Sequence, residues 1–218
     1  MSQSETVDRI LDAAELLFAE KGFTETSLRM ITSKAKVNLA AVNYHFGSKN
    51  ALIQAVFSRF LGPLSQMMEQ GMKEHSRKGA QSTDFDLEDI FRIYTQSLLK
   101  IPTRHTHGIS IFMRLMGLAY TQSQGHLRRY LEQEYSRTFV LLKRMIRACT
   151  PELTPEERFW RIQFTLGAVA FSMSSIQQLT EILENSVDAK ARPERVVELL
   201  VPYLVAGLRA GPVMPRQD

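Results

Sequence analysis

Apolar residues Ile10, Leu11, Ala14, Leu17 and Phe18 recur at three- and four-residue steps, which predicts an amphipathic first helix closed by Gly22, with Ser2 and Ser4 as candidate caps. A shorter second helix fits residues 27–35, with Thr26 as N-cap and Leu28, Ile31 and Ala35 turned inward. Lys36 and Val37 make a tight turn. Asn38 caps a third helix over 39–46, Gly47 ends it, and Ser48 caps a fourth beginning at Lys49. The fourth carries Leu52, Ile53, Val56, Phe57 and Phe60 and ends or kinks at Gly62 and Pro63. That break sets the expected division into a domain of residues 1–62 and a second of residues 63–218.

A polar stretch from His75 to Asp84 reads as a surface loop. Helix five begins near Asp86, gathers Leu87, Ile90, Phe91, Tyr94 and Leu98 on one side, and stops at Ile101 and Pro102. Helix six, 109–120, is apolar on nearly every side and is expected to be interior. Helix seven runs from His126 to about Ala148, with Lys143, Arg144 and Arg147 where the macrodipole favours cations. Thr154, Pro155 and Glu157 form a capping box with proline in the first turn, and helix eight runs from there to about Leu183. A last helix covers 193–209 with Pro202 inside it. There is no strand alternation and no internal repeat, so the chain is expected to be all-α, with about nine helices.

Composition narrows the class. With 218 residues, 44% hydrophobic and 23% charged, the chain can bury a substantial core. Its 11 Gly and 8 Pro fall below the usual combined share of about 12%, against a turn-rich β protein. The longest nearly apolar run, Leu199 to Leu208, is shorter than the roughly 20 residues of a membrane span, so no membrane partner is expected. The acidic start, with Glu5, Asp8 and Asp12, shows no secretory pattern and makes the cytoplasm the expected compartment. The single cysteine, Cys149, leaves no internal disulfide or Cys-based zinc cluster and reads as a buried thiol. His105 and His107 sit two residues apart in a loop without an accompanying acid or Cys, so no metal site is expected. No nucleophile with its base and no Asp-rich diphosphate motif is visible, so neither an enzyme nor a cofactor is expected.

The net charge of +4 says little, but its distribution is uneven. Residues 1–25 hold six acids and two bases, whereas residues 26–68 hold five bases (Arg29, Lys34, Lys36, Lys49, Arg59) and no acid. Two short helices joined by a tight turn in that window have the layout of a helix-turn-helix. Helical geometry turns Leu39, Val42 and Phe46 of the third helix inward and Ala40, Ala41, Tyr44 and His45 outward, with Asn43 at the edge. Two alanines let a helix sit deep in a major groove against thymine methyls, while Asn43 and His45 reach base edges and Tyr44 a phosphate. Arg29, Lys34, Lys36 and Lys49 flank it as phosphate contacts, and Thr26, Ser27 and Asn38 at the helix starts complete the expected DNA-facing set. One such helix reads only a few base pairs, so a homodimer on an inverted-repeat operator in double-stranded DNA is expected. The competing reading is a plain three-helix packing module.

The run Thr26-Ser27-Leu28-Arg29-Met30-Ile31, then Val37-Asn38, then Tyr44-His45-Phe46-Gly47-Ser48-Lys49 and Leu52, resembles the N-terminal domain of TetR-family transcriptional repressors. The likeness covers about residues 5 to 60. It implies a three-helix DNA-binding head on a larger helical body for ligand binding and dimerisation. Lys36 stands where the family commonly has Gly, and Asn43 where an aromatic is frequent, so the base preference does not transfer.

In the body, helix six sets Ile109, Phe112, Met113, Met116 and Tyr120 on one stripe and Ile111, Leu115 and Leu118 on the other. Such side chains fill an ordinary core more often than a binding site, yet 10 Met and 12 Phe suit a malleable interior around an apolar molecule. Arg114 needs a carboxylate, from Glu132, Glu134 or an acidic ligand head, with Arg128 and Arg129 as further candidates for that head. The segments 110–118 and 123–132 and Phe159-Trp160-Arg161 resemble the PsrA-type branch of fatty-acid-responsive repressors of β-oxidation genes. That resemblance implies a long-chain fatty acid or its acyl-CoA bound among helices five to eight, at Tyr94, Leu98, Phe112, Met113, Arg114, Met116, Tyr120, Phe164 and Phe171. Helix eight alternates large and small side chains, and the family's last two helices form its dimer interface, which implies Gly167, Ala170, Ser174, Leu200 and Leu204 there. The alternatives are a regulator of another apolar ligand, an activator, and a helical lipid-binding protein without a DNA role.

Overall fold

The computed structural model describes residues 3–77, 85–122, 124–187 and 192–212, and every regular element among them is an α-helix. In chain order they are α1 (Gln3–Glu25), α2 (Leu28–Ala35), α3 (Leu39–Phe46), α4 (Lys49–Arg77), α5 (Leu87–Leu99), α6 (Gly108–Thr121), α7 (Gly125–Glu134), α8 (Ser136–Cys149), α9 (Pro155–Ser174), α10 (Ile176–Val187) and α11 (Pro193–Arg209). The chain folds as two compact units, Met1–Leu64 with Ile101–Ser136, and Ser65–Lys100 with Arg137–Asp218.

The first unit is built on α1, whose buried Ile10, Leu11, Ala14, Leu17 and Phe18 follow the predicted spacing. It packs on α2, α3 and α6. Leu52, Ile53, Val56, Phe57 and Phe60 of α4 join this core, and the Phe60 ring stacks on Phe112 of α6 with centroids 4.9 Å apart. Gly22 breaks α1 with φ at 82°, a backbone state that costs a residue with a Cβ and not glycine. In the second unit α11 packs on α5 and α9, burying Val197, Leu200, Val201, Leu204, Val205 and Leu208 with Leu87, Ile90 and Leu98. Arg158 ties the loop before α9, donating to the carbonyls of Thr150 and Leu153 at 2.6 Å each. Arg161 does the same for the end of α11, donating to the Gly211 carbonyl at 2.7 Å.

Several expectations are corrected. The predicted seventh and eighth helices are each two, divided at Tyr135 and Ser175, where the backbone leaves helical geometry for a single residue near φ −109°. Neither position is Gly or Pro, so composition carries no marker of the break. Ser27, not Thr26, caps α2, its Oγ accepting from the Met30 N–H at 3.2 Å. Ser4 lies inside α1, and Ser2 falls outside the described residues. α4 does not end at Pro63: Leu61, Leu64, Met68 and Met72 keep a buried helical spacing through it to Arg77. His75 is therefore helical, and residues 78–84 of the expected loop lie outside the described residues. α6 is one-sided rather than interior throughout, burying Phe112, Met113 and Leu115 while Arg114 and Tyr120 face out. Cys149 is half-buried, its thiol donating to the Phe85 carbonyl at 3.0 Å, and burial raises its pKa.

Lys36 ends α2 in the left-handed region, at φ 53° and ψ 47°. Its N–H donates to Ser33 O at 3.2 Å and the Val37 N–H to Thr32 O at 3.0 Å, the paired bonds of a Schellman turn. A residue with a Cβ is strained there by roughly 1 kcal/mol. Lys36→Gly is expected to raise the unfolding midpoint by about 2–4 °C in calorimetry. A second outcome concerns Glu15, only 2% exposed, whose pKa burial raises against the lowering pull of Arg59. A carboxyl with a raised folded pKa stabilises the fold below the ordinary carboxylate range and loses that contribution as pH rises through the folded value. Thermal melts from pH 5 to 8 should therefore show Glu15→Gln gaining on the parent chain as pH increases.

Candidate functional site

α3 is eight residues long, and Val42 is its one buried side chain. Turn chemistry fixes the rest of its position. The Asn38 side-chain oxygen accepts from the Ala41 N–H at 2.8 Å, Gly47 closes the helix at φ 73°, and Ser48 Oγ accepts from the Ala51 N–H at 3.1 Å to start α4. From α1, the Arg9 guanidinium donates to the Ala35 carbonyl and, at 3.0 Å, to that of Lys36, holding the turn between α2 and α3 from below.

The outer face is then set. Ala40, Asn43 and Tyr44 are exposed, Tyr44 to 76%, and Ala41 and His45 are half-buried. The Tyr44 and His45 rings meet edge to face with centroids 5.0 Å apart. Ser27, Arg29, Lys34, Lys36 and Asn38 are exposed around them. Lys49 is half-buried and its Nζ donates to the Thr24 carbonyl at 3.3 Å, so it also tethers α4 to the end of α1. Thr26 has no exposed surface, and its hydroxyl donates to the carbonyls of Leu17 and Gly22 at 3.0 and 2.8 Å. It shapes the entry to α2 and presents nothing to a ligand.

The acids of α1 are collected elsewhere in the same unit. Arg59 of α4 lies 2.6 Å from Asp12, 2.7 Å from Glu15 and 3.7 Å from Asp8. Burial pulls the Arg59 pKa down, but Glu15 and Asp12 outweigh it and the guanidinium is held more firmly charged. Arg104 adds a bond to Asp8 at 2.7 Å, and His105 Nε2 lies 3.5 Å from Glu15. His105 thus has the accompanying acid that its sequence neighbourhood lacks, and Asp12, Glu15 and His105 bring ligand atoms within 4.8 Å of one another. Arg59 already supplies positive charge to two of the three.

Gln122, which ends α6, accepts from the Phe23 N–H at 2.9 Å, and a Cβ on Gly22 would lie 2.5 Å from its Nε2. The end of α6 is thereby docked on the break that leads into α2. Sequence reasoning did not find Arg9, Arg59 or Gln122, whose partners lie 26 to 99 residues away.

The nine expected ligand positions divide between the units. Phe112 and Met113 are buried in the first, with Met116 half-buried and Arg114 and Tyr120 exposed. In the second, Leu98 is buried and Tyr94 half-buried, while Phe164 and Phe171 are exposed. Of the expected dimer positions, Gly167 is exposed and Ala170 and Ser174 are half-buried, whereas Leu200 and Leu204 belong to the core under α11. No described helix is long and apolar enough to cross a membrane.

Residues 10–56 match the family model of bacterial regulatory proteins of the tetR family, and residues 92–207 match that of tetracyclin repressor-like C-terminal domains. The chain is 36% identical over 76 residues to the probable HTH-type transcriptional regulator YttP of Bacillus subtilis, covering 35% of this chain and 37% of that one. It is 34% identical over 97 residues to the HTH-type transcriptional repressor Rv3405c of Mycobacterium tuberculosis, covering 44% and 48%. It thus spans between about a third and a half of the length of these relatives. Among solved structures, the fatty acid degradation regulator FadR from Bacillus halodurans superimposes with a TM-score of 0.62 at 18% identity, over 94% of this chain and 96% of that one, a likeness of fold. With an N-terminal match on the helix-turn-helix and a C-terminal match over more than half its length, the chain belongs to the TetR family of bacterial regulatory proteins.

Proposed function

We propose that the protein is a homodimeric, cytoplasmic DNA-binding repressor that reads an inverted-repeat operator through α3 and is released by a long-chain fatty acid or acyl-CoA. The observation that carries the DNA reading is the outer face of α3: small or neutral, exposed, and ringed by Arg29, Lys34 and Lys36 in a stretch without a carboxylate. Phosphates meet cations on either side and the bases meet alanine methyls, Asn43 and His45. Residues 1–62 do the reading and residues 63–218 bind the effector and the second copy. The relative named as a repressor supports repression, and the PsrA-type segments together with the FadR-like fold support a fatty-acyl effector.

Dimerisation falls to the outward face of α9. Trp160, Phe164, Gly167 and Phe171 recur at helical spacing there, and Phe164 and Phe171 are 67% and 63% exposed. An aromatic stripe of that kind in water calls for a covering surface, and Gly167 has open space where a Cβ would stand. Leu199 and Tyr203 of the neighbouring α11 are exposed as well and extend the patch. Phe164 and Phe171 therefore serve the second copy in this reading, and Leu200 and Leu204 support α11 from beneath.

The test is a gel shift of the full chain on its own upstream region. Retardation that weakens steeply as salt rises is expected, with Tyr44→Ala about five- to tenfold weaker through loss of a bond to a charged phosphate. Oleate or oleoyl-CoA should weaken the complex about five- to 150-fold. Equal binding to random duplex would overturn the operator reading, and indifference to both acyl compounds would overturn the effector assignment alone. Sedimentation should show Phe164→Glu as a monomer with unchanged helicity; a persistent dimer places the interface elsewhere.

A further inference from the structure

Lys36, between α2 and α3, is the one non-glycine residue with a positive φ among the described residues, at 53°. A side chain with a Cβ is strained in that left-handed region, so the turn calls for a compensating interaction. The bonds from the Lys36 and Val37 N–H groups to Ser33 O and Thr32 O are main-chain bonds that do not depend on the side chain. They close the end of α2, yet the carbonyls of Ala35 and Lys36 lie where a helix end has no intrahelical partner to offer.

Arg9 answers both needs from α1. Its guanidinium donates to the Ala35 carbonyl and, at 3.0 Å, to that of Lys36, and its charge sits at the negative end of the α2 macrodipole. Packing does not fill the space around it: a recess of about 330 Å³ opens there, with Arg9, Asp12 and Leu16 on the α1 side and Lys34 and Lys36 on the other. Half-buried, the guanidinium thus spans a gap between the two helices. Asp12, the one acid in that lining, lies 2.6 Å from Arg59.

Little else orients α3. Val42 is its one buried side chain, and its cap, Asn38 accepting from the Ala41 N–H, follows Lys36 by two residues. A change in the Lys36 backbone turns that cap, and the exposed face of α3 turns with it. We infer that Arg9 is a positioning residue for DNA binding: it holds a strained lysine turn in the geometry that aims α3, and touches neither phosphate nor base itself. That role rests on the proposed DNA reading, whereas the hold on the turn is a property of the folded chain alone.

Arg9→Met keeps the length of the side chain and removes its donors. Hydrogen exchange of the full chain should then show the Val37 and Ala41 amides exchanging about tenfold faster, with the Ala51 amide at the start of α4 unchanged. Unchanged exchange at Val37 and Ala41 would overturn the inference whether or not the chain binds DNA. In gel shifts on the upstream region the variant should bind about five- to tenfold more weakly, while its binding to random duplex and its salt dependence match the parent. A slope of log affinity against log salt shallower by about one would make Arg9 a phosphate contact and end the positioning role. Lys36→Gly supplies the control, because glycine takes the left-handed turn without strain. Adding Arg9→Met to it should weaken operator binding less than about twofold, and an equal loss in both backgrounds would break the link to the turn. Failure of the parent chain to bind its upstream region would sink the DNA reading and the positioning role with it, and the exchange rates would still decide the turn.

Discussion

An eight-residue helix cannot hold itself together in water, because nucleation outweighs the few bonds it forms. α3 must nevertheless keep nearly its whole surface free, and it buries Val42 alone. The rest of the first unit answers that constraint. Caps at Asn38 and Ser48 fix the ends, Arg9 pins the preceding turn through its carbonyls, and α1 and α2 pack against the helix. So short and exposed a helix is therefore a product of its neighbours' packing.

On the proposed DNA reading, the same unit also has to keep its acids away from a phosphate-facing surface. α1 carries Asp8, Asp12 and Glu15 beside the cationic window, and their unscreened field would oppose DNA within a Debye length of about 8–10 Å. Arg59 draws all three to one place, with Arg104 and His105 adding to the cluster. Of the five bases in the acid-free window, Arg59 is consequently the one that faces inward.

How much of this was legible in the chain depended on range. Caps, the turn after Ala35 and the capping box at Thr154 and Glu157 involve neighbours three to five residues away, and Asn38, Ser48 and Thr154 cap as expected while Ser4 and Thr26 do not. At the start of α2 two hydroxyls are adjacent, and the carbonyls of Leu17 and Gly22 take that of Thr26, which leaves Ser27 to cap. Pro63 reads as an end or a kink from local chemistry, and buried Leu64, Met68 and Met72 carry α4 past it. The breaks at Tyr135 and Ser175 have no local cause at all. Arg9 and Gln122 act on partners that no window reaches.

Exposure also separates roles that periodicity merges. On α9, Phe164, Gly167 and Phe171 fit a ligand wall as well as a helix interface, because both want aromatics and small residues at one spacing. In the folded chain that face looks outward, and the inward faces of α9 and α11 are already filled by Val169, Met173 and the leucine stripe of α11. With one face of α9 in the core, the exposed aromatics of the other are the surface that the proposed dimer would cover.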